Sequence, residues 1–546
     1  MPRVTAETAR SGRLKRSVGF YGLMFVSLGS IIGSGWLLGA LNAAKEAGPA
    51  SILSWLLAAA MLSLLALTYA ELGASYPVAG GPGRVPYYAH GPVAGFTAGW
   101  AGWLQAVFIA PVEVLAAINY INSVGWVHEH FNMMQGGLLN HQGVLVAVVM
   151  MIVFTAINLA GAKFLAESNI GVVIWKAIVP FVAAISIASI HFNGSNFTAG
   201  GGFMPKGFHG VFAALTGGVV FALQGFEQGV QLAGEARNPK KDVARAILTA
   251  MLIGAVLYSL LQFVMIGAVD PANIKDNWLA PLGTSVSAYG AWYTLALAVG
   301  AGWLAKMLLI DAVISPAGTG IVYVGTTARL SYSLGEEREI PSALTKTNKK
   351  GVPIVGILVA AVIGCLAFGP FKSWKELVEV VTAATAIMYA FAPLSLAALH
   401  RLDPNRPRTY RTPFPAVVLP AAFCSANLII YWGGFETTWK LVLAMVVGLA
   451  LFFLGAARAG TMSEIKLRSS LWMIPWLGGQ LVIGALGRYG GGYDVLPAWW
   501  DLGVLITFSL AIFYGALRMT LTASESAAAI AKDSYQLEFE PGAHDA

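Results

Sequence analysis

Gly29-Ser30-Ile31-Ile32-Gly33-Ser34-Gly35 sets three glycines and two serines in the middle of an apolar run from about Phe20 to Leu41. A plain membrane-spanning helix has no need of so weak a centre. Glycine lowers helix propensity and lets the backbone leave helical angles. The stretch therefore predicts an unwound segment at mid-membrane, with amides and carbonyls turned toward a bound solute. The spacing Gly29-x-x-x-Gly33 also suits close packing of two membrane helices, so taken alone it leaves both readings open. It is no phosphate cradle, because it lies inside a span and not between a strand and a helix.

The surrounding 546 residues are 57% hydrophobic and 11% charged. Apolar runs repeatedly reach the ~20 residues that cross a bilayer as helix, which makes the chain an all-α polytopic membrane protein. Runs and breaks predict about fourteen transmembrane helices. Seven lie near 19–43, 49–73, 92–125, 142–161, 166–190, 209–234 and 245–268. Seven more lie near 296–327, 353–370, 377–399, 415–433, 439–457, 470–487 and 501–520.

Placing the N-terminus inside puts most of the 34 Lys and Arg on the cytoplasmic side of short loops, beginning with Arg3, Arg10, Arg13, Lys15 and Arg16. An even number of spans returns the acidic, Ala-rich tail from Ser524 onward to the cytoplasm, where it is expected to be disordered. The net charge of +7 follows from this bias and gives no support to a nucleic-acid partner. The bilayer is the partner that composition demands. Cys365 and Cys424, the two cysteines, fall in spans and read as small apolar side chains, so neither a disulfide nor a metal site is expected. The basic N-terminus runs into a long span with no small-residue cleavage site. It reads as a retained first helix of a multi-pass protein of the cell inner (plasma) membrane.

The sixth span has its own interruption, Phe221-Ala222-Leu223-Gln224-Gly225-Phe226-Glu227-Gln228-Gly229. Spans one and six are thus broken alike, with five helices from one break to the next. That is the arrangement of a transporter built from two inverted five-helix repeats whose first helices are discontinuous, a five-plus-five (LeuT-like) core. The expected layout is a cytoplasmic tail over 1–18, a first repeat over 19–190 and a second over 209–400. Additional helices follow over 415–520, and a second cytoplasmic tail over 521–546. The second break favours the binding-site reading of Gly29 to Gly35 over simple helix packing.

These pieces carry a resemblance. Gly29-Ser-Ile-Ile-Gly-Ser-Gly35 resembles the first-helix signature of the amino acid-polyamine-organocation (APC) superfamily. Ala70-Glu71-Leu72, Pro77 and Gly80-Gly81 resemble that family's loop after span two. Gly225-Phe226-Glu227 with Gly234-Glu235-Ala236-Arg237-Asn238-Pro239 resembles its sixth-helix signature. The likeness extends over about the first 420 residues. Within the superfamily, Gly302-Trp303-Leu304-Ala305, Asp311-Ala312 and Ser315-Pro316 look most like the bacterial aspartate-proton symporter group.

The resemblance implies an amino-acid permease whose substrate α-carboxylate docks around Ser30, Gly33, Ser34 and Gly35, at the positive end of the outer half-helix. The α-ammonium would meet carbonyls of Ile31, Phe221, Ala222 and Gln224, with Gly225 of the second break also counted among the substrate-binding residues. Phe221 matches the family's aromatic gate; the plain alternative is a packed phenylalanine. Ionisable side chains deep in a bilayer cost ~2.5 to 3.5 kcal/mol or more on insertion scales, which singles out Glu113, Lys176, Glu227, Lys306 and Asp311.

Lys176 matches the lysine that sodium-independent relatives place where sodium-driven ones bind a cation, where it would tether the first and eighth helices and serve as a proton-coupling site; the plain alternative is a lysine snorkelling to an interface. Sodium is therefore not expected, and the proton is the coupling ion, with no other cofactor. Asp311, Ser315 and Thr319 recur every four residues and share one face of span eight. Asp311 reads as a proton acceptor, a partner for Lys176 or a structural hydrogen-bond acceptor. Glu227 carries a proton or caps exposed backbone. Glu113 pairs with a neighbouring helix or joins transport. Lys306 meets an acidic substrate side chain or points to the outer interface. Spans eleven to fourteen offer few polar residues at mid-depth and read as scaffold.

The function expected is proton-coupled import of an amino acid by alternating access, with aspartate the first guess and glutamate the second. An amino-acid or amine exchanger would use the same breaks. A membrane sensor would bind an amino acid but move little of it. An enzyme is disfavoured, because no span pairs a nucleophile with a base or clusters His, Cys and carboxylates.

Overall fold

An apolar segment in a bilayer has no water to satisfy its amides, so it closes its hydrogen bonds within a helix. Eleven helical segments of the described residues are long and apolar enough to cross a membrane, and Phe20–Ile31, Ile354–Ala367 and Trp500–Ala516 are shorter apolar helices. Every expected apolar stretch falls on one of these or on parts of them. The computed structural model describes residues 18–78, 82–160, 162–284, 290–336, 344, 346–348 and 352–533, with backbone alone for 162–170. The basic residues of the N-terminal tail, Gly80-Gly81 and the chain beyond Asp533 lie outside the described residues.

In chain order the first helices are α1 (Phe20–Ile31), α2 (Gly35–Ala47), α3 (Ser51–Ser75), α4 (Arg84–His90) and α5 (Pro92–Asn122). Next come α6 (Gly125–His130), α7 (His141–Ala160), α8 (Ala162–Ile190), α9 (Gly207–Ala214), α10 (Val220–Leu223), α11 (Gln228–Gln231) and α12 (Pro239–Ala268). The rest are α13 (Ala291–Ala298), α14 (Gly302–Glu336), α15 (Ile354–Ala367), α16 (Trp374–Leu402), α17 (Pro415–Trp432), α18 (Phe435–Ala459), α19 (Met473–Leu486), α20 (Trp500–Ala516) and α21 (Ala523–Lys532). One hairpin, β1 (Met134–Gln135) with β2 (Leu138–Leu139), pairs Met134 with Leu139 antiparallel.

Proline opens α5, α12 and α17 at positions where its missing N–H costs nothing. The centre belongs to α5 and α16, whose apolar stretches are 94% and 89% buried, against 33% for α7 and 28% for α18. α14 and α16 pack on α5, and α12 packs on α1 and α3. Leu56, Val149, Ile152, Leu252, Val362 and Val446 are exposed. An outward apolar face of this kind suits hydrocarbon and not water.

Two details differ from the sequence expectation and two go beyond it. The eighth apolar run is interrupted between α13 and α14, where Gly300 takes φ 74°. The tail from Ser524 is not wholly disordered: α21 starts with a capping box in which Thr522 and Glu525 bond each other's backbone. Asp533 then accepts from Tyr88 (2.5 Å) and pairs with Arg84 (3.3 Å), tying α21 to α4. The late helices are not devoid of buried polar groups either, since Asn427 Oδ1 accepts from Trp476 Nε1 and Gln480 Nε2, both at 2.8 Å. That cluster joins α17 to α19. Lastly, Glu71 of the Ala70-Glu71-Leu72 motif is a buried tie. It meets His400 Nε2 (2.7 Å), the Thr412 amide (2.7 Å) and Arg408 (3.4 Å).

Candidate functional site between two broken helices

The first break spans Ile32 to Ser34, where Ile32 leaves helical angles (φ -90°, ψ 84°) before Ser34 caps α2. The second spans Gln224 to Glu227. Gln224 is extended (ψ 162°), and Gly225 takes φ 112°, a conformation that L side chains rarely adopt. The two breaks touch. A Cβ on Gly35 would lie 2.7 Å from the Ala222 Cα, and one on Gly225 would lie 2.7 Å from the Ser30 carbonyl carbon. Only glycine permits backbones to approach so closely.

Breaking a helix frees amides and carbonyls that must find partners in a dry interior. Buried side chains from other helices supply them. Glu113 Oε2, on α5, accepts the Ser34 amide at 2.8 Å, placing a carboxylate on the positive end of α2. Lys176 Nζ, on α8, donates to the Gly29 carbonyl (2.9 Å) and to Thr319 Oγ1 on α14 (2.5 Å). Tyr258 donates to the Ile31 carbonyl at 2.8 Å and Ser27 to the Phe226 carbonyl at 3.1 Å. At the second break Glu227 Oε2 accepts the Gly225 amide (3.0 Å) and the Tyr389 hydroxyl (2.5 Å).

Between the breaks lies a cavity of about 10 Å³ lined by Ser30, Ile31, Gly33, Ile109, Glu113, Phe221, Gln224, Thr319 and Tyr323. Glu113 Oε1 and Gln224 Nε2 are buried beside it without hydrogen-bond partners. Phe221 meets Trp374 edge to face at 5.7 Å, and Trp374 Nε1 donates to Ser34 Oγ at 3.0 Å. Immediately beyond, Lys375 pairs with Glu46 at 2.6 Å and Lys206 approaches the same carboxylate at 3.9 Å. This end of the cavity is shut by an aromatic pair under an ion-pair cluster.

Of the residues singled out from sequence, Ser30, Ile31, Gly33, Glu113, Phe221, Gln224 and Thr319 line one cavity. Ser34 and Gly225 lie in the breaks around it, Gly35 and Ala222 touch where the flanking helices meet, and Lys176 reaches its wall through Thr319. Asp311 stands apart. It accepts from Trp175 Nε1 (2.8 Å), Trp36 Nε1 (3.1 Å) and Ser315 Oγ (2.6 Å), while Lys176 spends its bonds elsewhere. Glu227 lines a different cavity, about 30 Å³, with Tyr69, Tyr76, Arg84 and Gln231. The rings of Phe226, Tyr69 and Tyr389 cluster beside it. Lys306 is exposed on the outside of α14 and meets neither cavity.

Sequence reasoning missed the aromatic donors Trp36, Trp175, Trp374 and Tyr389, together with Tyr323, Ile109 and Thr385. Nothing local marks the Trp and Tyr among 16 Trp and 18 Tyr, nor Ile109 and Thr385 within their apolar helices.

A comparison with protein families matches residues 18–452 to the amino acid permease family. The chain belongs to that family. Among relatives of this permease is the glutamate/serine transporter AimA of Bacillus subtilis, 33% identical over 512 residues, 93% of this chain and 94% of that protein. The aspartate-proton symporter of the same organism is 31% identical over 517 residues, 93% of this chain and 97% of its own. The branched-chain amino acid permease BcaP is 26% identical over 477 residues. The permease is thus a multi-pass helical membrane protein of an APC family whose members transport amino acids.

Proposed function

We propose that this permease imports an amino acid together with protons by alternating access, with aspartate the first candidate and glutamate the second. The site would work in the plasma membrane as the centre of a fourteen-span protein with a five-plus-five inverted-repeat core and both termini cytoplasmic. Two touching breaks, each the first helix of its repeat, support that architecture. The names of two relatives, one an aspartate-proton symporter and the other a glutamate/serine transporter, support the substrate class and add serine to it.

The observation that carries the coupling is the 2.8 Å hydrogen bond from the Ser34 amide to Glu113. The amide at the head of α2 is where a substrate α-carboxylate would bind, and Glu113 occupies it. A proton on Glu113 would weaken that bond and release the amide to the substrate, so one proton and one substrate would enter together. Lys176 balances the buried charge nearby and ties span one to span eight through Gly29 and Thr319. Asp311 and Glu227 hold other joints of the bundle. Opening toward the cytoplasm would pass Glu227 and the cavity bounded by Tyr76 and Arg84.

The test is uptake of radiolabelled L-aspartate into proteoliposomes, with and without an inward proton gradient and with no sodium. Accumulation driven by the gradient and competed by unlabelled aspartate is expected. Glu113→Gln keeps an acceptor for Ser34 but removes the titratable group, so exchange against preloaded substrate should persist while the gradient no longer drives accumulation. Full gradient-driven accumulation by that variant would overturn the role of Glu113. No uptake of aspartate, glutamate or serine into tight vesicles would overturn the substrate class.

A further inference from the structure

The cavity between the breaks contains a side-chain amide that the backbone-binding scheme does not use. Gln224 is 4% exposed, lines the cavity and leaves its Nε2, with two N–H donors, buried and unpartnered. A buried donor of this kind costs ~1 to 3 kcal/mol unless something accepts from it. On its other side Gln224 Oε1 accepts from the Thr385 hydroxyl on α16 at 3.1 Å, a single proton that Thr385 shares with the Val381 carbonyl at 2.8 Å. The extended backbone at Gln224 sets the side chain at the turn of the break. Among the described residues no Arg or Lys lines the cavity, and Lys176 is committed to Gly29 and Thr319.

We infer that Gln224 is the side-chain selectivity residue of this site, its amide receiving the terminal acceptor of a short substrate side chain. The inference rests on the transport reading above and extends it to the part of the substrate that the broken backbone does not touch. A neutral N–H pair accepts hydrogen bonds from no one and carries no charge. It therefore suits a carboxylate, a hydroxyl or a carboxamide oxygen alike and disfavours a methyl group, which leaves it orphaned. The selected class is short amino acids whose side chains end in an oxygen acceptor. Thr385 is a positioning residue, acting through the amide it orients.

The experiment measures KM and maximal rate for L-aspartate uptake in proteoliposomes, with L-serine and L-alanine as competitors, for the full-length chain, three single variants and one double variant. Gln224→Met has nearly the same length and shape without the donors. It should raise the aspartate KM about ten- to a hundredfold with maximal rate largely kept, and should abolish the preference for serine over alanine. Gln224→Glu replaces donors by acceptors and should reject aspartate more strongly than Gln224→Met does. Thr385→Val should raise KM by a smaller factor, and should add little on top of Gln224→Met.

Unchanged aspartate KM and unchanged competition in Gln224→Met would overturn the inference while leaving transport standing. Aspartate uptake retained in Gln224→Glu would overturn it too, since that result means the amide faces the cavity with its oxygen. Failure of the wild-type protein to accumulate labelled aspartate or labelled serine would instead remove the transport reading, and this inference with it.

Discussion

One ammonium group, Lys176 Nζ, fastens the broken end of α1 to the middle of α14 through two hydrogen bonds. Removing it strands the Gly29 carbonyl and Thr319 in a dry interior and leaves Glu113 without a nearby cation. Lys176→Ala should abolish proton-driven uptake while expression and a monodisperse profile in detergent persist; normal accumulation at every pH would remove Lys176 from the mechanism. Gly225 makes a sharper residue-scale case, because φ 112° and a Cβ 2.7 Å from Ser30 both exclude a side chain. Gly225→Ala should destabilise by about 1 to 3 kcal/mol or more, read as a lower thermal midpoint, with uptake lost. A midpoint equal to wild type would show that the break relaxes freely. The sequence marks Glu113, Lys176, Glu227 and Asp311 because charge inside an apolar run is a local signal. It does not mark Trp36, Trp175 or Tyr389. Their role is to meet those charges from helices 136 to 275 positions away, which only tertiary packing decides.

Elements were legible where composition changes abruptly. Glycine with serine inside the first run, and glycine with glutamine inside the sixth, announce the two breaks, and both occur there. Gly300-Ala301-Gly302 announces the gap between α13 and α14 by the same chemistry, but it sits close to the end of its run, where the expected span simply absorbed it. The C-terminal helix was legible in Thr522-x-x-Glu525, a capping box. The Ala-rich, charged composition that follows pointed the other way, and propensity alone cannot see that Arg84 and Tyr88 wait for Asp533. This contact carries a prediction about order. Asp533→Ala removes the acceptor for Tyr88 and the ion pair with Arg84, so amide hydrogen exchange should rise about tenfold or more over 523–533. A smaller rise is expected in Arg84–His90, with little change in α5. Equal exchange in variant and wild type would mean that α21 is kept in place by its apolar face alone.

At the scale of the whole molecule, the apolar rim and the distribution of charge make a joint statement about orientation. Leu56, Val149, Ile152 and Val446 face outward as hydrocarbon contacts. The ends of the bundle differ: Glu46, Lys206 and Lys375 cluster at the end closed by Phe221 and Trp374, whereas α4 and α21, tied by Arg84 and Asp533, and the Glu71, His400 and Arg408 ties lie at the end whose connections carry Arg401, Arg406, Arg408 and Arg411. Positive loops favour the cytoplasm, so α4 and α21 should lie inside and the Phe221 end outside. The proposed import by an inward proton gradient requires that orientation, because in that scheme the Glu113 carboxylate would load its proton from the outer face. Two exposed positions test it, Asn273 in the loop after α12 and Ser524 at the start of α21. In a chain with Cys365 and Cys424 replaced by alanine, Asn273→Cys should react with a membrane-impermeant maleimide in intact cells. Ser524→Cys should react only after the membrane is opened. The opposite pattern would put α21 outside, and would make the same gradient drive protons, and any amino acid coupled to them, through the site from the Glu227 end.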